Sequence, residues 1–236
     1  IRPDGAELLP AAAALADGAE LVGVLTHAGD SYECKTTAEI EAAAEAERAG
    51  IVLAAERLRA AGHTVKIVSA GSTPTLMFAK DETGVTEMRA GVCALFDLFM
   101  SNVGACTVDD IAGSVLATVI GRQVDKRRVI LDCGFLALSR DRGTARQAHD
   151  YGYGLVCGLD GKPLADGTIV LTGTNQEHGI LTLPENSPLT QEDFPIGRRL
   201  RILPNHACPT AAPYGSLVLI ENGRVAEVLD HVRGWD

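Results

Sequence analysis

Apolar and polar positions change period near the middle of this chain. Residues 6–17 set Leu8, Leu9 and Leu15 on one side of an alanine-rich stretch, which predicts a helix. Glu20-Leu21-Val22-Gly23-Val24-Leu25 is a short apolar run with His27, Asp30 and Tyr32 directly behind it, the pattern of a buried strand opening into a polar loop. Thr36 stands three residues before Glu39, the spacing of a capping box. Behind it Ile40, Ala44, Ile51, Ala55 and Leu58 mark the apolar side of a helix that Ala61-Gly62 ends. Residues 64–69 and a segment near 84–88 read as two further strands. Strands alternating with helices in this rhythm imply a parallel sheet with crossover helices.

Beyond residue 107 helical periodicity is nearly absent. Residues 115–120, 128–132, 168–171, 199–203 and 216–220 read as strands, parted by turns such as Asp160-Gly161 and Glu221-Asn222-Gly223. The expected fold is therefore α/β plus all-β, with part of an α/β domain over 1–106 and an antiparallel β-domain over 107–236.

The formal net charge of -10 argues against a nucleic-acid partner, whose phosphates would be repelled. Lys126-Arg127-Arg128, the one dense basic cluster, reads as a solvated turn beside a strand. No run of eighteen apolar residues predicts a membrane span. Six cysteines lie scattered without close pairs, and five of them read as reduced core residues of a cytoplasmic protein. The chain opens on Ile1, at the approach to a helix, and reads as part of a longer protein.

Several short motifs carry chemistry. His206 and Cys208 stand two residues apart between Pro204 and Pro209; in an extended strand both would project from one face, and imidazole and thiolate are partners of zinc and similar metals. Two such ligands leave coordination positions open, as catalysis by a metal requires. Gly71-Ser72-Thr73-Pro74-Thr75 follows a strand and offers hydroxyls and amides to a phosphate, or forms an ordinary polar turn. Gly91 and Val92 can offer further amides, and Arg89 can reach an anion or a ring nitrogen, or pair with Glu87 at the surface. Together with the loop of His27 and Tyr32, these make three consecutive polar loops after strands, the pattern of an active face on a (β/α)₈ barrel. Glu177 and His178 could move a proton or orient another group, or form a polar turn.

Taken together, His27-Ala28-Gly29-x-x-Tyr32, Gly71-Ser72-Thr73-Pro74-Thr75, Glu87-Met88-Arg89-x-Gly91, Asp132-x-Gly134, Glu177-His178-Gly179 and Pro204-Asn205-His206-x-Cys208 resemble the D-serine dehydratase and D-threonine aldolase group of pyridoxal phosphate enzymes. The resemblance implies the C-terminal portion of an alanine racemase-like barrel followed by a β-domain, and covers essentially the whole chain. It implies that Gly71, Ser72, Thr73, Gly91 and Val92 hold the phosphate of pyridoxal 5'-phosphate, that Tyr32 lines its pocket and that Arg89 lies near its ring. It also implies that His206 and Cys208 bind a divalent metal, Zn²⁺ ahead of Mn²⁺ or Mg²⁺, with Tyr32 and His178 in the catalytic set. A homodimer acting on a small β-hydroxy-D-amino acid follows. The implied reaction is β-elimination to an α-keto acid and ammonia, the His-x-Cys pair favouring dehydratases over the aldolases that cleave to glycine and an aldehyde. A racemase and a non-catalytic cofactor-binding protein are the other readings. Two departures stand out: Cys93 occupies the family's usual tyrosine position, and the Schiff-base lysine of the family's first barrel strand has no counterpart among Lys35, Lys66, Lys80, Lys126 and Lys162.

Overall fold

The computed structural model describes residues 1–15 and 18–232, so the predicted end of the first helix at Ala16 and Asp17 lies outside the described residues. The chain divides into two compact units, residues 1–93 with 103–105, and residues 94–102 with 106–236.

The first unit runs α1 (Leu8–Leu15), β1 (Gly23–Leu25), α2 (Thr37–Ala60), β2 (Ile67–Ala70), α3 (Thr73–Phe78) and β3 (Glu87–Met88). The three strands lie side by side in chain order and all are parallel. Parallel neighbours need crossovers, which α2 and α3 supply. Thr36 caps α2 reciprocally with Glu39, as its spacing predicts. The buried side of α2 includes Ile40, Ala44, Ile51, Ala55 and Leu58, of which Ile51, Ala55 and Leu58 pack with Val68 and Ala70 of β2 into one core. That stripe also contains Glu47, a charged residue where the helical period calls for an apolar one. Two strands are displaced or shorter than predicted. β2 begins at Ile67 instead of residue 64, and β3 has two residues because Gly84 (φ +87°) and the Val85-to-Glu82 turn delay the extended segment.

The second unit contains α4 (Leu98–Val103) as far as Asn102, then β4 (Val115–Gln123), β5 (Arg128–Leu131), α5 (Phe135–Leu138), β6 (Leu155–Cys157), β7 (Leu171–Thr174), β8 (Gly179–Thr182), β9 (Arg199–Leu203), α6 (Ala207–Ala211), β10 (Ser216–Glu221) and β11 (Arg224–Asp230). Six strands form an antiparallel sheet in the order β6-β9-β4-β5-β8-β7, and β10 pairs with β11 as a separate hairpin. The strand predicted at 168–171 lies later, because Ala165 and Asp166 take left-handed conformations in a turn that Thr168 closes. Only Cys133 and Cys157 are buried; Cys34, Cys93 and Cys106 are partly covered and Cys208 is exposed, which corrects the expectation of five core cysteines. Burial pushes the Cys133 and Cys157 thiols up to about 12. No helix among the described residues is long and apolar enough to cross a membrane.

Candidate active site

In the first unit the loops at the C-terminal ends of β1, β2 and β3 meet. Ser72 caps α3 in a reciprocal box with Thr75. Gly71 sits at φ +126°, a region that favours glycine, and a Cβ there would lie 2.8 Å from the Arg89 backbone. The Thr73 hydroxyl accepts from the Val92 amide at 2.9 Å, joining the β2 and β3 loops. A Cβ on Gly91 would lie 2.5 Å from that same hydroxyl, so the absence of a side chain keeps the junction open. The β1 loop joins through Ser31, whose Oγ lies 3.0 Å from Ser72 Oγ, and through His27 Nδ1, 3.2 Å from the Gly71 carbonyl. Tyr32 Oη is 3.3 Å from His27 Nε2.

Arg89 is drawn into this cluster. It donates to Ser69 Oγ at 2.6 Å, to the Gly71 carbonyl at 3.3 Å and to the Thr26 carbonyl. Ser69 Oγ in turn donates to Glu87 at 2.5 Å, so a serine stands between the two charges. The structure thus brings Tyr32, Gly71, Ser72, Thr73, Arg89, Gly91 and Val92 to one end of one sheet. The residue missed by pattern reading is Glu47. Its Oε1 accepts from the amides of Ala28 (3.0 Å) and Gly71 (3.1 Å), and its Oε2 from Thr75 Oγ1 (2.7 Å). Its place on an apolar helical stripe was the available signal.

The residues of this cluster suit a phosphate. The Thr73 amide opens a helix and has no partner within it, hydroxyls stand beside it, and the lack of a side chain at Gly91 leaves the Thr73 hydroxyl its place. The amides of Gly71 and Val92 are engaged by Glu47 and Thr73, so they are not free donors in this structure.

In the second unit, His206 and Cys208 are not on a strand. β9 ends at Leu203, His206 is the extended N-cap of α6, and Cys208 lies in the first turn of that helix. Pro209 is tolerated there because the first turn of a helix needs no partner for the missing N–H. The two side chains still meet. Hydrogen bonding to Cys208, and next to Asp141, lifts the His206 imidazole to about 9 against the opposing effect of burial. Asp141 Oδ2 lies 2.7 Å from His206 Nδ1, leaving Nε2 as the nitrogen for another partner.

The surrounding segment is held from several sides. Asp97, buried, accepts from the amides of Ala207 (2.8 Å) and Met100 (2.9 Å). Desolvation raises the Asp97 carboxyl despite those bonds. Asn205 donates to the carbonyls of Asp141 and Gly152 and accepts from Thr144. Thr210 donates to the Leu138 carbonyl at 2.5 Å. None of Asp97, Asp141 or Thr144 stands in a motif near His206, so sequence spacing gave no access to them. Among the described residues no cluster of three or more His, Cys, Asp or Glu is arranged to hold a metal; His206 and Cys208 are a nitrogen–sulfur pair. That pair suits a borderline divalent cation. Glu177 and His178 are exposed on the turn between β7 and β8, and among the described residues neither side chain is hydrogen-bonded to the His206–Cys208 pair.

Comparison with known proteins places these features in context. Residues 112–220 match the family described as "Putative serine dehydratase domain", and residues 1–98 match "Alanine racemase, N-terminal domain". The D-threo-3-hydroxyaspartate dehydratase of Delftia sp. (strain HT23) is 52% identical over 220 residues, 92% of this chain. Residues 112–220 thus belong to the serine dehydratase domain family and residues 1–98 to the alanine racemase N-terminal domain family. The D-serine dehydratase of Dictyostelium discoideum is 30% identical over 204 residues. The chain spans 57% of the Delftia relative's length and 51% of the Dictyostelium one's. The solved structure of the Delftia enzyme superposes with a TM-score of 0.88 at 52% identity, over 97% of this chain and 60% of that one. An alanine racemase-like protein from Idiomarina loihiensis gives 0.89 at 41% identity, over 100% of this chain and 61% of its own. The fold is accordingly alanine racemase-like, a partial barrel followed by a β-domain.

Proposed function

We propose that the protein carrying this chain is a pyridoxal phosphate-dependent, metal-assisted lyase that dehydrates β-hydroxy-D-amino acids, of the D-threo-3-hydroxyaspartate dehydratase type. The observation that carries this reading is the 52% identity to that enzyme across 92% of the chain. Solved variants of that relative include a histidine-to-alanine form and a cysteine-to-alanine form described as metal-free, altered two positions apart, the spacing of His206 and Cys208.

The Thr73 and Gly91 amides and the Ser72 and Thr73 hydroxyls would hold the cofactor phosphate, with Gly71 and Val92 shaping the loops. Arg89 and Tyr32 belong to the same loop cluster and would face the ring. When bound, the cofactor supplies an electron-withdrawing ring that acidifies Cα of the substrate. His206 through Nε2 and Cys208 through its thiolate would hold a divalent cation, Zn²⁺ by donor preference, whose Lewis acidity assists departure of a β-hydroxyl. Asp141 keeps the imidazole in the orientation that leaves Nε2 available. A homodimer and a cytoplasmic setting belong to this reading as kinship expectations.

The second reading, D-threonine aldolase, has less support: the Arthrobacter enzyme of that name is 26% identical over 179 residues. Product analysis with D-threo-3-hydroxyaspartate, D-serine and D-threonine separates the two. An α-keto acid with ammonia, abolished by chelator and restored by added cation, is expected. Glycine with an aldehyde, the L-enantiomer, or activity indifferent to chelation would overturn the dehydratase reading.

A further inference from the structure

We propose that Glu47 is the positioning residue that shapes the cofactor-phosphate loop. The assignment rests on the pyridoxal phosphate reading above. Glu47 comes from the middle of α2, is 8% exposed, and sits on the helix stripe that otherwise buries apolar side chains. A carboxylate there carries a large desolvation cost unless donors surround it. Three do, and they come from two loops and a helix start. The Ala28 amide belongs to the β1 loop, the Gly71 amide to the β2 loop and the Thr75 hydroxyl to the first turn of α3.

Each bond fixes one element of the cradle. The Gly71 amide, turned toward Glu47, sets the loop where it adopts φ +126°. Thr75, while donating to Glu47, accepts from the Ser72 amide and thereby holds the cap of α3. The Ala28 amide anchors the segment whose Ser31 hydroxyl touches Ser72. One buried anion thus fixes the backbone from which the Thr73 amide and the Ser72 and Thr73 hydroxyls project. Replacement by alanine leaves two amides and a hydroxyl without their acceptor. Glutamine keeps an oxygen for both amides, and Thr75 can rotate its hydroxyl to receive the new N–H.

The test compares wild type, Glu47→Gln and Glu47→Ala for binding of pyridoxine phosphate and of pyridoxine, neither of which can form a Schiff base. Amide hydrogen exchange at Ala28 and Gly71 is followed in parallel. Glu47→Ala is expected to weaken pyridoxine phosphate roughly 10–100-fold, the equivalent of losing charge-assisted hydrogen bonds, and to change pyridoxine about twofold or less. Exchange at both amides should rise in Glu47→Ala, and Glu47→Gln should restore both measurements most of the way. Unchanged phosphate affinity in a folded Glu47→Ala variant overturns the assignment, as does equal loss of both ligands. Wild type that binds the two ligands equally overturns the phosphate-site reading itself. The exchange data then show independently whether Glu47 holds these loops.

Discussion

His206 sits between two partners of opposite consequence. Asp141 and Cys208 both favour the protonated imidazole in the metal-free protein, and a cation on Nε2 requires the neutral one. Its folded value of about 9 lies above the ordinary 6.5. The stability it contributes is therefore fully present below about pH 6.5 and is lost as pH rises through about 9. The side chain is 41% exposed, so solvent screening reduces the size of the effect. With chelator present, the urea-unfolding stability of wild type relative to His206→Gln is expected to be greatest near pH 6 and to converge above about pH 9. A difference that grows with pH would contradict this. At this scale the sequence was partly legible. His206 and Cys208 were visible as a pair because they are neighbours in the chain. Asp141, 65 residues away, became a partner only through folding. The geometry joining the pair is a helix start rather than the strand that spacing suggested, since the N-cap brings i and i+2 together as well.

Elements were legible where a long stretch repeated its apolar period, and β8, four residues of alternating burial, was not among the expected strands. α2 has a capping box and a regular apolar stripe, and both survive in the structure. Short strands such as β6, buried on all three residues, show no alternation and escaped pattern reading. Other boundaries moved where turns intervened, as at Gly84 and Ala165–Asp166. The β10–β11 hairpin differs in kind from the six-stranded sheet. Every residue of β11 is exposed, and a two-stranded ribbon has little stability of its own in water. Amides of 216–230 are expected to exchange faster than those of β4, β5 and β9, whose strands have neighbours on both sides. Mass-spectrometric hydrogen exchange checks this, and comparable protection would show that the ribbon is covered in solution.

For the whole molecule, the proposed phosphate cradle lies in one unit and the nitrogen–sulfur pair in the other. A ligand that binds only the folded state adds stability according to its concentration over its dissociation constant, about 2.7 kcal/mol at a hundredfold excess. Added Zn²⁺ should raise the melting temperature of wild type and leave His206→Ala and Cys208→Ala unmoved. Pyridoxal phosphate should stabilise all three alike. A zinc effect that persists in both variants would place the cation elsewhere. The net charge of -10 does not conflict with an anionic cofactor, because the proposed phosphate site would rely on oriented donors in one loop set rather than on the global field.

Cys208 has one more consequence, for the chemist handling the protein. It is the sole exposed member of the six cysteines, beside a histidine, while Cys133 and Cys157 are buried with thiols raised to about 12 and Cys106 is raised to about 11. Electrophiles select thiols that they can reach. An alkylating reagent therefore meets the proposed metal ligand first by exposure, and a bound cation would act as its protecting group. The same side chain offers a native attachment point for a spectroscopic label, reporting at the site without an engineered residue.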